Sequence, residues 1–181
     1  DINKIDLSDD LVYKEFRDGH TVGIFQMESP GMTEALKKIK PTCLGDVSVV
    51  NALYRPGAMP YIDTFAARKN HVEQISYLHP DLIPILSETY GVMVYQEQLI
   101  QVGRLSGLKN PDQLRKACGK KNIELLNSLE PYVKNGLKQR KWKDEEVNQI
   151  WSDMVKFGSY AFNKSHANLY GSISYITMYL K

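Results

Sequence analysis

Apolar positions recur along most of the chain at spacings of three and four, the signature of helices that bury one face. Residues 144–155 are the plainest case. Val147, Ile150, Trp151, Met154 and Val155 share a stripe, Asp144 is placed to cap it and Gly158 to end it in the left-handed region. Earlier helices are expected over Leu11–Phe16, over residues following Ser29-Pro30 and stopping before Pro41, and from a Thr42 cap through Leu53, with a short one over Asp63–Lys69. His79-Pro80 opens a short helix that ends at Tyr90-Gly91, and a longer one runs through Gly107. Asn110-Pro111-Asp112-Gln113 combines an amide cap, a proline at the first helical position and a glutamine to close a capping box, with Gly119 as the break. A further helix passes Leu125, Leu129 and Val133 to stop near Arg140, and an apolar, aromatic segment fills 167–181. Only Thr21–Gln26 reads as a strand, while Val92–Tyr95 fits either a strand or a first helical turn. The expectation is a mainly α, multi-helix fold with one or two very short strands. The final segment ends without cap, glycine or proline, so a longer parent chain is expected.

At 181 residues, 43% hydrophobic and 24% charged, the chain can bury a core without staples. Cys43 and Cys118 lie far apart in no metal or redox spacing, which fits a reducing, cytoplasmic setting. No run approaches the roughly 18 apolar residues of a membrane span, and the acidic start is no signal peptide. Charge changes the picture more. Residues 1–100 carry 9 Lys and Arg against 14 Asp and Glu, and residues 101–181 carry 14 against 7, so a net +2 hides halves of −5 and +7. A basic half is a cue for an anionic partner, although a charged helix face also serves simply to stay hydrated.

Two polar clusters sit in that half. Arg115 and Lys116, with Lys120 and Lys121 after Gly119, place four cations around one helix end, where a polyphosphate can be gripped by an arginine fork and lysine point charges. The run lacks the first glycine and the hydroxyl of a Walker A loop. Asn163, Lys164, Ser165 and His166 precede the last apolar segment, so that Asn163 or Ser165 could cap a helix whose free N–H groups and Lys164 face an anion. The same residues serve equally as plain caps with a packed imidazole. Arg55, at the Ala52–Gly57 helix stop, and Tyr160 read as structural residues or partner contacts. His-Glu-x-x-His, Cys-x-x-Cys and dinucleotide fingerprints are absent, and no aspartate pair sits on an apolar strand pattern, as a two-metal phosphoryl-transfer site requires.

Five stretches occur together in order: Gly23–Ser29, Ala52–Gly57, Tyr90–Val92 with Tyr95–Gln98, Leu114–Lys121 and Phe162–Ala167. In this the chain resembles the bacterial DNA polymerase III alpha subunits, the C-family replicative polymerases, and within them the fingers region. The resemblance implies a connector from the palm over residues 1–20 and a fingers domain over 21–181, its basic nucleotide-facing half at about 101–181 and its C-terminus truncated. It implies that the palm's three catalytic aspartates and their Mg2+ lie upstream of Asp1, leaving this stretch inactive by itself. The partners it implies are a deoxynucleoside triphosphate, primer-template DNA, the palm of the same chain, and the sliding clamp and other replisome subunits through other regions, with no membrane. Arg115, Lys116, Lys120, Lys121, Asn163, Lys164, Ser165 and His166 then fall on the nucleotide-facing motifs. Lys116 stands where the family carries a second arginine, and Ala161 where it usually carries glycine. The alternative, drawn from charge alone, is a non-catalytic module that grips nucleic-acid backbone with its basic half.

Overall fold

A computed structural model describes residues 4–181, so the first three residues of the expected connector lie outside it. The chain divides into two compact units, residues 4–74 with 163–181, and residues 75–162. Both are helical.

The first unit comprises α1 (Asp10–Asp18), α2 (Pro30–Ile39), α3 (Leu44–Leu53), α4 (Pro60–Lys69) and, from the far end of the sequence, α10 (Lys164–Leu180). Helix α3 is buried on nearly every side, and its run Val47, Ser48, Val49, Val50, Ala52, Leu53 shows why: an all-round apolar helix has to be central. Helix α10 lies against it at Gly171, where a Cβ would come 2.5 Å from Ser48 Oγ and 3.2 Å from Ser48 N. Farther along α10, the Tyr175 hydroxyl donates to Asp6 O at 2.8 Å and accepts from Asp9 N at 3.0 Å, and its ring meets Tyr13 at 5.1 Å. Burial pushes both phenols above their ordinary pKa. Asp46 and Lys69, both buried, approach to 3.4 Å, and the carboxylate also accepts from Thr42 N at 2.8 Å. Helix α3 therefore begins one residue after the expected Thr42 cap, with Asp46 reaching back to Thr42 from inside the first turn.

The stretch Thr21–Gln26 is no strand. Ile24 N donates to Thr21 O and Met27 N to Ile24 O, both at 3.0 Å, while Gly23 (φ 78°) and Gln26 (φ 61°) take left-handed conformations. Its β-favouring composition is used to bury Ile24 and Met27 from consecutive turns. Among the described residues the strand-like pairing is a single parallel bridge between Tyr95 and Phe162, in the second unit.

That unit contains α5 (Ile83–Leu86) between 3-10 turns at Pro80–Leu82 and Ser87–Thr89, then α6 (Gln96–Leu105), α7 (Asp112–Gly119), α8 (Ile123–Gln139) and α9 (Asp144–Gly158). Leu99, Val102, Leu114, Ala117, Val133, Leu137, Val147 and Met154 form its fully buried centre. Gln98 organises the entry to α6: Oε1 accepts from Val94 N (2.7 Å) and Tyr95 N (2.9 Å), and Nε2 donates to Thr89 Oγ1 (2.8 Å). Three expected helix ends shift. Helix α7 starts after Pro111 with no side-chain cap from Asn110, and α9 starts after Lys143, whose N–H is taken by Glu146 Oε2 at 2.8 Å. Gly158 does not end α9 in the left-handed region but is its last helical residue. Its missing side chain makes room for α7, since a Cβ there would lie 2.2 Å from Cys118 Cβ.

Candidate nucleotide and DNA contacts

Helix α7 carries the first cluster. Leu114, Ala117 and Cys118 point into the core, and burial raises the Cys118 thiol to about 11, so it is an inert packing group. Arg115 and Lys116 remain on the solvent side, and both are held by the residue that opens the helix. Arg115 Nε meets Asp112 Oδ1 at 2.6 Å and Lys116 Nζ meets Asp112 Oδ2 at 3.1 Å. These are the i,i+3 and i,i+4 neighbours of one carboxylate. Their donors bring the Asp112 carboxyl down to about 2, and the same bond holds the Arg115 guanidinium above its ordinary value. Lys120 and Lys121 follow, both exposed. Lys121 takes φ 50° and its N–H closes on Cys118 O at 3.1 Å, while Asn122 caps α8 through Leu125 N at 3.0 Å. The four cations thus share one helix and its exit turn.

The second cluster opens α10. Asn163 is the cap, its Oδ1 accepting from His166 N at 2.8 Å, so of the two candidates it is the asparagine that caps. Lys164 occupies the first helical position and Ser165 is exposed. The His166 ring packs on Tyr170 at 4.3 Å, and Tyr170 in turn on Phe25 at 5.3 Å. The first turn of α10 carries no acid, whereas α7, α8 and α9 begin with Asp112, Glu124 and Asp144–Glu146. Its positive dipole end is therefore not offset by a carboxylate of its own. The first cluster belongs to the second unit and the second to the first unit.

Arg55 turns inward. Its Nε and Nη2 donate to Ala52 O at 3.0 and 2.8 Å, closing the end of α3, and burial depresses its pKa. Tyr160 is half-buried in the turn after α9, where its N–H donates to Phe157 O at 2.7 Å. Among the described residues no three His, Cys, Asp or Glu side chains gather as a metal site. None of the described helices is long and apolar enough to cross a membrane.

Residues 1–141 match the family model of the bacterial DNA polymerase III alpha subunit finger domain. The chain belongs to that family. Relatives bear out the assignment over the whole chain: the DNA polymerase III subunit alpha of Aquifex aeolicus is 45% identical across all of it, that of Halalkalibacterium halodurans 41% across 99%, and that of Staphylococcus aureus 40% across all of it. The chain spans about a sixth of their length, 16 to 17%. What sequence reasoning missed in this finger domain is Asp112. Its spacing to Arg115 and Lys116 already marks it as their partner.

Proposed function

We propose that this chain is the part of a replicative DNA polymerase that holds the triphosphate of an incoming deoxynucleotide and contacts primer-template DNA, while a palm elsewhere in the protein performs the chemistry. Phosphoryl transfer needs positioning and neutralisation of charge more than it needs proton transfer. Cations suffice for that. Arg115 offers a planar fork, preoriented by Asp112, and Lys116, Lys120 and Lys121 add positive field. Asn163 fixes the start of α10, so that Lys164, with Ser165 and His166 beside it, presents charge and backbone N–H groups to phosphate oxygens. Arg55 and Tyr160 are assigned to shaping the fold near DNA rather than to the nucleotide. Metal chemistry is assigned to the palm, and no step here runs through it. By this reading the chain alone extends no primer, and the full protein works in the cytoplasm.

The observation that carries the reading is the Arg115–Asp112–Lys116 arrangement on α7 within a finger-domain chain. Arg115→Ala in the full-length polymerase is expected to lower kcat/KM for the nucleotide about tenfold or more, the usual cost of losing a charge-assisted contact. An unchanged kcat/KM in steady-state primer extension overturns the assignment.

A further inference from the structure

Helix α8 buries one face through Leu126, Leu129, Val133 and Leu137. Its flank carries Tyr132, Asn135, Gly136 and Gln139, again at helical spacing, and here the pattern is not apolar. These residues form one wall of a cleft of about 560 Å³, within the roughly 300–1,000 Å³ typical of small-molecule sites. The opposite wall is the turn after α6 and the start of α7, with Lys109, Asn110 and Gln113. The two walls are set by a close backbone approach: a Cβ at Gly136 would lie 1.7 Å from Ser106 O. Leu108 and Leu129 contribute apolar lining. The cleft lies wholly within the second unit.

Its chemistry is unusual for a surface groove. Four carboxamides, one ammonium and one phenol ring line it, no lining residue is acidic, and among the described residues none of those six side chains is held by another group. Elsewhere in the unit amides are put to structural use, Gln98 and Asn122 being examples. Tyr132 is 71% exposed, so its ring is open to an incoming group.

We propose that this cleft is a docking site for a base of single-stranded DNA, distinct from the triphosphate contacts: the base stacks on Tyr132, Asn135 and Gln139 with Asn110 and Gln113 bond its edge, and Lys109 meets the adjoining phosphate. Carboxamides offer the paired donor and acceptor that base edges require, aromatic rings stack on any base, and a carboxylate-free lining tolerates a polyanion. The inference rests on the chain being part of a DNA polymerase, which puts unpaired template strand within its chemistry.

The test is photocrosslinking of a 12-nucleotide oligodeoxythymidylate substituted with 5-iododeoxyuridine to the full-length polymerase that carries this chain, with adducts mapped by mass spectrometry. The expected result is an adduct at Tyr132, its yield falling roughly tenfold in the Asn135→Ala/Gln139→Ala double variant, in line with the loss of a base-edge pair. Tyr132→Phe keeps the adduct, and Arg115→Ala leaves its yield in place. Adducts found only at other positions, or a Tyr132 adduct indifferent to the double variant, overturn the proposal. If the adduct behaves as expected while Arg115→Ala leaves nucleotide kcat/KM unchanged, the triphosphate assignment alone fails, and the converse removes the cleft alone.

Discussion

The starts of α7 and α10 carry the same proposed duty and are built in opposite ways. At α7 the helix supplies its own anion: Asp112 stands at the dipole's positive end and holds Arg115 and Lys116 at 2.6 and 3.1 Å. At α10 the cap is a neutral amide, the first turn has no acid, and Lys164 and His166 sit where other helices here carry carboxylates. A phosphate arriving at α7 has to compete with or share a carboxylate of the same helix, whereas the first turn of α10 brings no carboxylate of its own. The difference teaches that four adjacent cations are not four equivalent ligands. The α7 pair is oriented by a carboxylate of its own helix, and the α10 start is fixed by a neutral amide cap.

Packing also places each helix, through a glycine, and the two glycines should respond differently. A Cβ at Gly158 meets Cys118 Cβ itself at 2.2 Å, whereas one at Gly171 first meets the Ser48 hydroxyl at 2.5 Å, with backbone only beyond 3 Å. Gly158→Ala is expected to cost about 3 kcal/mol of stability and to recover less than half of it with Cys118→Ala, because that variant removes the Sγ at 2.8 Å but keeps the Cβ at 2.2 Å. Gly171→Ala should cost about 1–3 kcal/mol, with more than half recovered by Ser48→Ala. Urea denaturation of the four variants and the two doubles checks both. Recovery of more than half at Gly158, or none at Gly171, would break the contrast.

A smaller effect sharpens it. Asp112→Asn removes the internal competitor at α7 while keeping the residue's size, and the expected outcome is a fall in nucleotide KM of roughly threefold, on the scale of a partly exposed ion pair. No corresponding acid exists in the first turn of α10 to be removed. A rise in KM would show that Asp112 acts mainly by orienting Arg115.

Much of this was legible in the sequence where the cause is local. Ser29 caps the helix it was expected to cap, and Asn163 is one of the two candidates for α10, because a side chain bonding an N–H three residues on is a short-range event. The stripe of α9 appears where its period put it. What was not legible depends on neighbours distant in the chain. Gly158 looked like a terminator because a glycine after a helix usually is one, and only the approach of Cys118, forty residues earlier, shows its use. Thr21–Gln26 has strand composition, but pairing needs a partner strand, and with none beside it among the described residues the segment turns instead to bury Ile24 and Met27. The return of α10 to α3, with Gly171 on Ser48, is likewise invisible to a local period. The four amides of the α8 cleft were individually unremarkable and converge only in the fold.

Acid provides the gentlest probe of the comparison. The bonds from Arg115 and then Lys116 hold the Asp112 carboxyl at about 2, below its ordinary 3.8. A carboxyl with a depressed pKa favours the folded helix above its unfolded value, and that contribution disappears as pH falls through the folded one. The loss for α7 should therefore fall between about pH 4 and pH 2. Asn163 does not titrate, so the cap of α10 contributes nothing to such a change. Amide hydrogen exchange of the first turns of α7 and α10, corrected for the intrinsic pH dependence of exchange, should show protection lost preferentially at α7 across that window. The Asp112→Asn variant should flatten the difference. Equal loss at both starts would mean that α7 is held by packing, with the carboxylate a bystander to the helix although still a partner to its cations.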